Sequence, residues 1–115
     1  MTIRSIIIDD EPNNIDNARA LLLEYCPEVE VVATAMNAAD GIAVIRDYRP
    51  DLVFLDIQMP VLNGFEVLKA FSRIDFEVVF VTAFDQYGIQ AIKFSALDYL
   101  LKPIEIGRAS CRERV

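Results

Sequence analysis

The sequence predicts an α/β protein in which five parallel strands form a doubly wound sheet with helices on both faces. Apolar runs without polar alternation lie at residues 6–8, 53–55 and 78–81. Such runs are typical of strands that are covered on both faces. Segments with apolar residues at helical spacing lie between them. Strands that alternate with helices in this way indicate a parallel sheet.

The first half of the chain is predicted to hold two strand–helix units. The first strand covers residues 3–8, and Pro12 suits the first turn of the next helix, where an N–H donor is not needed. The second strand covers residues 29–35, and Asn37 suits the N-cap of a helix over residues 38–48. The buried faces of these helices are predicted to consist of Ile15, Ala18, Leu22 and Tyr25, and of Ala38, Ile42 and Ile45.

The second half contains three further strands. The central run 53–55 lies between Pro50 and Pro60 and ends on the carboxylate of Asp56. The remaining elements are a turn at Asn63 and Gly64, a helix marked by Phe65, Leu68 and Phe71, a strand at 78–81, a short helix at 86–94 and a last strand at 97–101.

Composition excludes several classes of function. A chain of 115 residues is expected to form one domain, and its net charge of −7 argues against nucleic-acid binding by this segment. No apolar run approaches the roughly 18 residues that a membrane span requires, and no signal peptide is evident. Cys26 and Cys111 lack CxxC spacing and histidine is absent, which excludes a zinc site built from these residue types. We therefore expect a protein of the reducing cytoplasm.

Polar residues follow four of the five predicted strands. Asp9, Asp10 and Glu11 follow the first strand, Asp56 the third, Thr82 the fourth and Lys102 the fifth. Parallel strands would bring these residues to one edge of the sheet, where functional crevices form. Clustered carboxylates repel one another unless a cation lies between them, and a small set of oxygen ligands suits Mg²⁺.

Simpler explanations exist for two of these segments. Residues 9–11 could serve only the N-terminus of the first helix, where acids are favourable, and Asp56 could merely begin a turn. Neither explanation covers Thr82 and Lys102.

The chain shows no activated serine, no reactive cysteine setting and no glycine-rich phosphate loop, and the acidic first loop would repel a flavin phosphate. A carboxylate nucleophile beside a metal ion remains, with Lys102 balancing charge on a transferring phosphoryl group.

Four segments together resemble the motif set of two-component response-regulator receiver domains, with the CheY-like fold. They are Asp9-Asp10-Glu11-Pro12, Leu55-Asp56-Ile57-Gln58-Met59-Pro60 with Asn63-Gly64, Val81-Thr82-Ala83, and Tyr99-Leu100-Leu101-Lys102-Pro103. The resemblance implies that Asp56 accepts a phosphoryl group from a histidine kinase. It also implies Mg²⁺ ligands at Asp10, at Asp9 through water, at Asp56 and at the Gln58 backbone carbonyl. Thr82 and Tyr99 would be the switch pair, and Lys102 would contact the phosphate.

The resemblance has further implications for the whole protein. Residues 84–87 and 96–104 are most similar to receivers of the LytTR class, which carry a C-terminal DNA-binding domain, so DNA would be bound only through an output domain. A homodimer through the last helix–strand region is a further expectation. The activity would be limited to self-phosphorylation from a donor and autodephosphorylation. The receiver is expected at 1–106 without its native fifth helix, and residues 107–115 are expected to be a non-native tail.

Two alternatives of other classes stay open on the sequence. A magnesium-dependent phosphatase of the haloacid dehalogenase type also uses Asp and Mg²⁺, but it has its nucleophile in an Asp-x-Asp after the first strand. A degenerate receiver that acts only as a binding module would need none of Asp10, Asp56, Thr82 and Lys102.

Overall fold

The computed structural model describes residues 2–82 and 98–101, and every structural statement concerns these residues. Three helices and five strands are present in this part of the chain. In order they are β1 (Ile3–Ile8), α1 (Pro12–Tyr25), β2 (Val29–Ala35), α2 (Ala38–Tyr48), β3 (Leu52–Leu55), α3 (Gly64–Lys69), β4 (Glu77–Thr82) and β5 (Asp98–Leu101). The predicted helix at 86–94, the expected loss of a fifth helix and the tail at 107–115 lie outside the described residues.

The five strands form one sheet in the order β2-β1-β3-β4-β5, and all four pairings are parallel. This confirms the predicted fold class. β1 and β3 are neighbours, with Ile6 opposite Val53 and Ile8 opposite Leu55. The chain therefore crosses from one side of β1 to the other between β2 and β3, which is the kind of point where doubly wound sheets bind ligands.

Both faces of the sheet are buried. Every residue of β3 is buried, and successive side chains point to opposite faces. Val53 and Leu55 pack in a core with residues of α2 and α3, whereas Leu52 and Phe54 pack in a second core with residues of α1. The apolar run that predicted a doubly covered strand is explained by these two cores.

Helix α1 differs from its predicted buried face at one residue. Ile15, Ala18 and Leu22 are buried as predicted, but Tyr25 is half exposed. The position four residues after Leu22 is Cys26, which is fully buried and continues the same face. The small Cys26 side chain therefore fills the place that the sequence pattern assigned to the phenol ring.

The start of α2 is as predicted, and the start of α3 is not. Asn37 Oδ1 accepts a hydrogen bond from Asp40 N at 2.8 Å, so Asn37 is the N-cap of α2. Asn63 and Gly64 were expected to form a turn, but Asn63 caps α3 and Gly64 is its first residue. Asn63 Oδ1 accepts from Glu66 N at 3.0 Å and Glu66 Oε1 accepts from Asn63 N at 3.1 Å, which is a capping box.

Helix α3 is also shorter than its apolar pattern suggests. It ends at Lys69, so Phe71 lies beyond it in the loop to β4. Phe71 nevertheless stays half buried and packs edge-to-face on Phe76, with ring centroids 5.7 Å apart. Among the described helices none is both long and apolar enough to cross a membrane.

Candidate functional site

Backbone register brings two aspartates together at the carboxyl edge of the sheet. Ile8 and Leu55 are partners at the ends of β1 and β3, and each is followed by an aspartate. Asp56 N donates to Ile8 O at 2.9 Å, and Asp9 N donates to Ala35 O at 3.0 Å. Neighbouring strands are about 4.8 Å apart, so Asp9 and Asp56 leave the sheet side by side.

Three carboxylates converge at this edge. Asp9, Asp10 and Asp56 each offer an oxygen, and these oxygens lie within 4.8 Å of one another. Asp9 and Asp56 are only 4% and 5% exposed, whereas Asp10 is exposed and forms the open side of the cluster. Burying two neighbouring carboxylates is costly unless positive charge or hydrogen-bond donors accompany them. The arrangement fits a hard divalent cation with oxygen ligands.

The loop after β1 holds Asp9 from the main chain and from α1. Asp9 Oδ1 accepts from Glu11 N at 3.0 Å and from Asn14 Nδ2 at 3.4 Å. Glu11 is the N-cap residue of α1, but its side chain makes no capping hydrogen bond. Residues 9–11 therefore do more than cap the helix, because two of their carboxylates face the cluster instead. Asn14 is a positioning residue that sequence reasoning missed, although its place in the first turn after the acidic loop was a usable signal.

The loop after β3 is held by close backbone packing. Gln58 N donates to Asp56 Oδ1 at 3.3 Å, and Gly64 N donates to Ile57 O at 2.7 Å. A Cβ at Gly64 would lie 2.5 Å from Asp56 O, so only glycine allows this approach without a shift. Ile57 and Met59 are buried and fix the loop to the core. Gly64 therefore positions Asp56 because it has no Cβ.

The other predicted site residues are only partly within the described residues. Thr82 is the last residue of β4 and lies opposite Leu101, and Tyr99 lies opposite Phe80. The register places the end of β4 at the same edge of the sheet as Asp56. The side chains of Thr82 and Tyr99, and all of Lys102, lie outside the described residues. Gln58 is exposed beside Asp56, and its carbonyl as a metal ligand stays a prediction.

Comparison with known proteins then identifies the family. The family described as response regulator receiver domain matches residues 6–110. The chain belongs to this family. The receiver resemblance is confirmed, and the haloacid dehalogenase alternative is excluded because the chain belongs to the receiver family and its aspartate cluster combines the ends of β1 and β3.

Individual relatives agree with this membership. The transcriptional regulatory protein BtsR of Escherichia coli is 44% identical over 92% of this chain and 44% of its own length. The response regulatory domain of MrkE from Klebsiella pneumoniae has 27% identity and a TM-score of 0.82, covering 92% of this chain and 88% of that domain. The receiver domain of AraT, a response regulator from Geobacillus stearothermophilus, has 28% identity and a TM-score of 0.81, covering 94% and 87%.

The chain spans less than half the length of the curated relative BtsR. The similarity therefore concerns the receiver and not the remainder of that protein.

Proposed function

We propose that this receiver accepts a phosphoryl group on Asp56 in a Mg²⁺-dependent reaction and thereby switches an output function. The observation that carries the proposal is the position of Asp56. Its carboxylate is buried, lies at the end of the central strand and has oxygens of Asp9 and Asp10 within 4.8 Å. Three carboxylates this close to one another fit a divalent cation, and a cation beside a nucleophile supports phosphoryl transfer.

The reaction forms one bond and breaks one. A carboxylate oxygen of Asp56 attacks phosphorus, giving an acyl phosphate, while the bond from phosphorus to the donor breaks and the donor keeps that electron pair. The chain has no histidine, so the imidazole of a phosphohistidine donor must come from a partner, which we propose to be a histidine kinase. The activity is limited to this self-phosphorylation and to autodephosphorylation.

Each described residue of the carboxylate site has a defined part in this reaction. Asp10 on the open side, Asp9 through water, Asp56 and the Gln58 carbonyl would hold the ion. The ion, when bound, would neutralise charge on the carboxylate and on the phosphoryl oxygens. Gln58 N donates to Asp56 Oδ1 and orients the carboxylate, and Gly64 lets the main chain of α3 close against Asp56 O. Buried Ile57 and Met59 keep this geometry rigid.

Three residues of the last two sequence motifs complete the proposal on the strength of the resemblance. Lys102 would contact the phosphoryl oxygens. Thr82 would approach them by its hydroxyl, and Tyr99 would fill the space that Thr82 leaves, so that a local charge biases a two-state element. The register supports the role of Thr82, because it ends β4 at the carboxylate edge.

The output is proposed to be transcriptional. The relative BtsR is named a transcriptional regulatory protein, and the segments 84–87 and 96–104 support a receiver of the LytTR class. We propose that DNA is bound through an output domain, that two receivers associate through the last helix–strand region, and that the protein acts in the cytoplasm. The receiver is assigned to residues 1–106, with residues 107–115 as a tail outside it.

The test is phosphorylation by acetyl phosphate with Mg²⁺, followed by intact-mass measurement. We expect one added phosphoryl group in the wild type, none in Asp56→Asn and none when Mg²⁺ is removed by chelation. Asp47→Asn is the matched control, because Asp47 is an exposed aspartate at the end of α2 away from the carboxylate edge. A phosphoryl group that persists in Asp56→Asn would refute the assignment. A wild type that never gains mass would favour a receiver that acts only as a binding module.

A further inference from the structure

A second cleft lies at the amino edge of the sheet, opposite the carboxylate cluster. It has a volume of about 600 Å³ and lies where α2 leads into β3 and where α3 leads into β4. Its walls include three arginines and two phenylalanines, which are Arg46, Arg49, Arg73, Phe71 and Phe76. Strand β3 separates this cleft from Asp56 by about 16 Å, given about 3.3 Å per residue, so the two sites are distinct.

Positive charge is concentrated around this cleft in an acidic chain. Residues 2–82 contain six lysines and arginines against fourteen acidic residues. Four of those six are at the amino edge, since Arg4 is the second residue of β1 and its guanidinium donates to Arg49 O beside the cleft. The same edge also carries Asp51 and Asp75 on the cleft wall and Asp47 and Glu77 beside it, so an anion would be bound by individual arginines and not by a net positive field.

The two acids that line the cleft are already engaged. Asp51 Oδ2 accepts a hydrogen bond from Arg4 N at 3.0 Å. Asp75 Oδ1 pairs with Arg73 Nε at 3.0 Å on the exposed rim, where such a pair contributes little and is readily exchanged. Arg46 Nη2 donates to Ala70 O at 3.3 Å, and its guanidinium lies 5.4 Å from the centre of the Phe71 ring. Arg46 is thus held over the aromatic wall by contacts that leave its charge uncompensated.

The guanidinium of Arg49 takes part in none of these contacts. Its guanidinium makes no ion pair or hydrogen bond with any residue in the described part of the chain, whereas its carbonyl accepts from Arg4 Nη1 at 3.2 Å. Arg49 is also the C-cap of α2 with a φ of 48°, a left-handed conformation in which glycine is the usual residue. An arginine here keeps an unfavourable backbone conformation, and its guanidinium forms no hydrogen bond or ion pair with the described residues in return.

The apolar wall adds a second requirement for a ligand. Phe71 and Phe76 pack edge-to-face, and buried Ile45 and Pro50 extend the apolar surface beside them. Guanidinium groups bind carboxylates and phosphates in a planar, two-pronged geometry, and aromatic walls favour flat apolar groups. A site with both features selects molecules that carry both an acidic group and a flat body.

We propose that the amino-edge cleft binds small organic anions in which a carboxylate or phosphate is attached to a flat apolar group. Arg49 contacts the anionic group, and Phe71 with Phe76 contacts the flat group. The proposal does not depend on phosphorylation of Asp56, because it uses residues of the opposite edge only.

The test uses three probes and backbone amide shifts from NMR titration. Benzoate carries charge and ring, acetate carries the charge alone, and benzamide carries the ring without charge. We expect benzoate to shift amides in residues 45–51 and 70–77 and to bind at least about tenfold more tightly than either other probe. A charged hydrogen bond contributes roughly 1.5–3 kcal/mol, which corresponds to about tenfold or more in affinity.

Variants of two exposed arginines, Arg49 and Arg19, provide the test and its control. Arg49→Gln should weaken benzoate about tenfold, and Arg49→Lys should recover part of the loss because it restores charge without the planar group. Arg19→Gln, on the exposed side of α1, should bind as the wild type does. Benzoate that binds no better than acetate or benzamide, that shifts amides elsewhere, or that ignores Arg49→Gln would overturn the proposal. A failure to saturate at the highest soluble concentration would overturn it too.

Discussion

The two edges of the sheet present different charged groups, a carboxylate cluster at one and four arginines at the other, and are assembled in different ways. At the carboxyl edge, three aspartates follow two neighbouring strands directly, so strand register alone brings them within 4.8 Å of one another. At the amino edge, the arginines come from the start of β1, the end of α2 and the loop after α3. Their proximity depends on how the helices pack on the sheet.

This difference explains why one site is visible in the sequence and the other is not. The end of an apolar run marks the end of a strand, and parallel topology then fixes which side chains meet. No spacing rule relates residue 4 to residue 73, so a cleft made by helix packing leaves no motif. The charge at the carboxyl edge therefore follows from local sequence, and the charge at the amino edge follows from tertiary structure.

Among the substitutions that test the comparison of the two edges, Asp10→Asn is expected to have the largest effect, which is on Mg²⁺ affinity. Asp10→Asn removes one of the three anionic ligands, and affinity for hard cations follows the number of charged ligands, so Mg²⁺ should bind at least about tenfold more weakly. Phosphorylation by acetyl phosphate should slow with it. Isothermal titration of Mg²⁺ measures the first effect, and Asp47→Asn, at the other end of the molecule, should titrate as the wild type. An Asp10→Asn protein with unchanged Mg²⁺ affinity would contradict the cluster as a metal site.

Much of the fold was predictable because the strands are covered on both faces. Residues 3–8, 29–35 and 38–48 were predicted with the bounds that the structure has. The strands at β3 and β4 were predicted one residue short at one end or at both, because Leu52, Glu77 and Thr82 extend the ladders beyond the apolar runs. Asp9, Asp10 and Asp56 were predicted to meet, and they do.

The failures occur where the helical pattern is weak or short. Tyr25 was predicted to be buried, but Cys26 is buried in its stead, because small apolar residues are as readily buried as large ones. Asn63 was predicted as part of a turn, although Glu66 three residues later completes a capping box that the sequence displays. Phe71 was predicted on a helix that ends two residues earlier, since the loop to β4 must bring Phe71 back onto Phe76.

The next effect in size tests the fit of α3 against the Asp56 loop. Gly64→Ala would place a Cβ 2.5 Å from Asp56 O, and main chain cannot move aside as a side chain can. We expect a loss of roughly 1–3 kcal/mol in the free energy of unfolding, which is typical of overpacking, and slower phosphorylation of the displaced Asp56. Urea unfolding measures the first effect and intact mass measures the second.

Gly41→Ala is the matched control for this prediction. A Cβ at Gly41 would lie 2.9 Å from Ile8 Cδ1 and 3.1 Å from Ile8 Cγ2, which are side-chain atoms and not main chain. The gain of about 1 kcal/mol in helix propensity offsets this crowding. Gly41→Ala should therefore change stability little and leave phosphorylation intact. Equal losses in both alanine variants would show that contact with the Asp56 backbone is not special.

Each edge also contains one non-glycine residue in the left-handed region, which allows a direct comparison. Among the described residues, Arg49 has a φ of 48° and Val61 has a φ of 71°. Arg49→Gly should raise the free energy of unfolding by up to about 1 kcal/mol, because glycine adopts this conformation without a steric cost. The same variant should lose benzoate binding at the amino edge. A variant that gains stability and keeps benzoate affinity would separate the strain at Arg49 from the proposed role of its side chain.

The smallest effect on the free energy of unfolding is expected at Val61, where no buried contact is lost on substitution. Val61 is 99% exposed, so its side chain contributes almost nothing to the core, and a β-branched residue is strongly disfavoured at positive φ. The left-handed conformation costs roughly 1–2 kcal/mol for a residue with a Cβ. Glycine removes that cost but adds about 0.4–1 kcal/mol of unfolded-state entropy, so Val61→Gly should stabilise the protein by about 0.5–1 kcal/mol.

Val61→Ala separates the two contributions, because alanine loses the branching but keeps the Cβ. It should lie between valine and glycine in urea unfolding, with glycine the most stable of the three. Mg²⁺ affinity should be unchanged in both variants, since Asp56 is held by Gln58 N and by the packing of Gly64 rather than by Val61. If glycine weakened Mg²⁺ binding, the strained loop would itself help to position Asp56. Val61 would then serve the carboxyl edge through its backbone, whereas Arg49 serves the amino edge through its side chain.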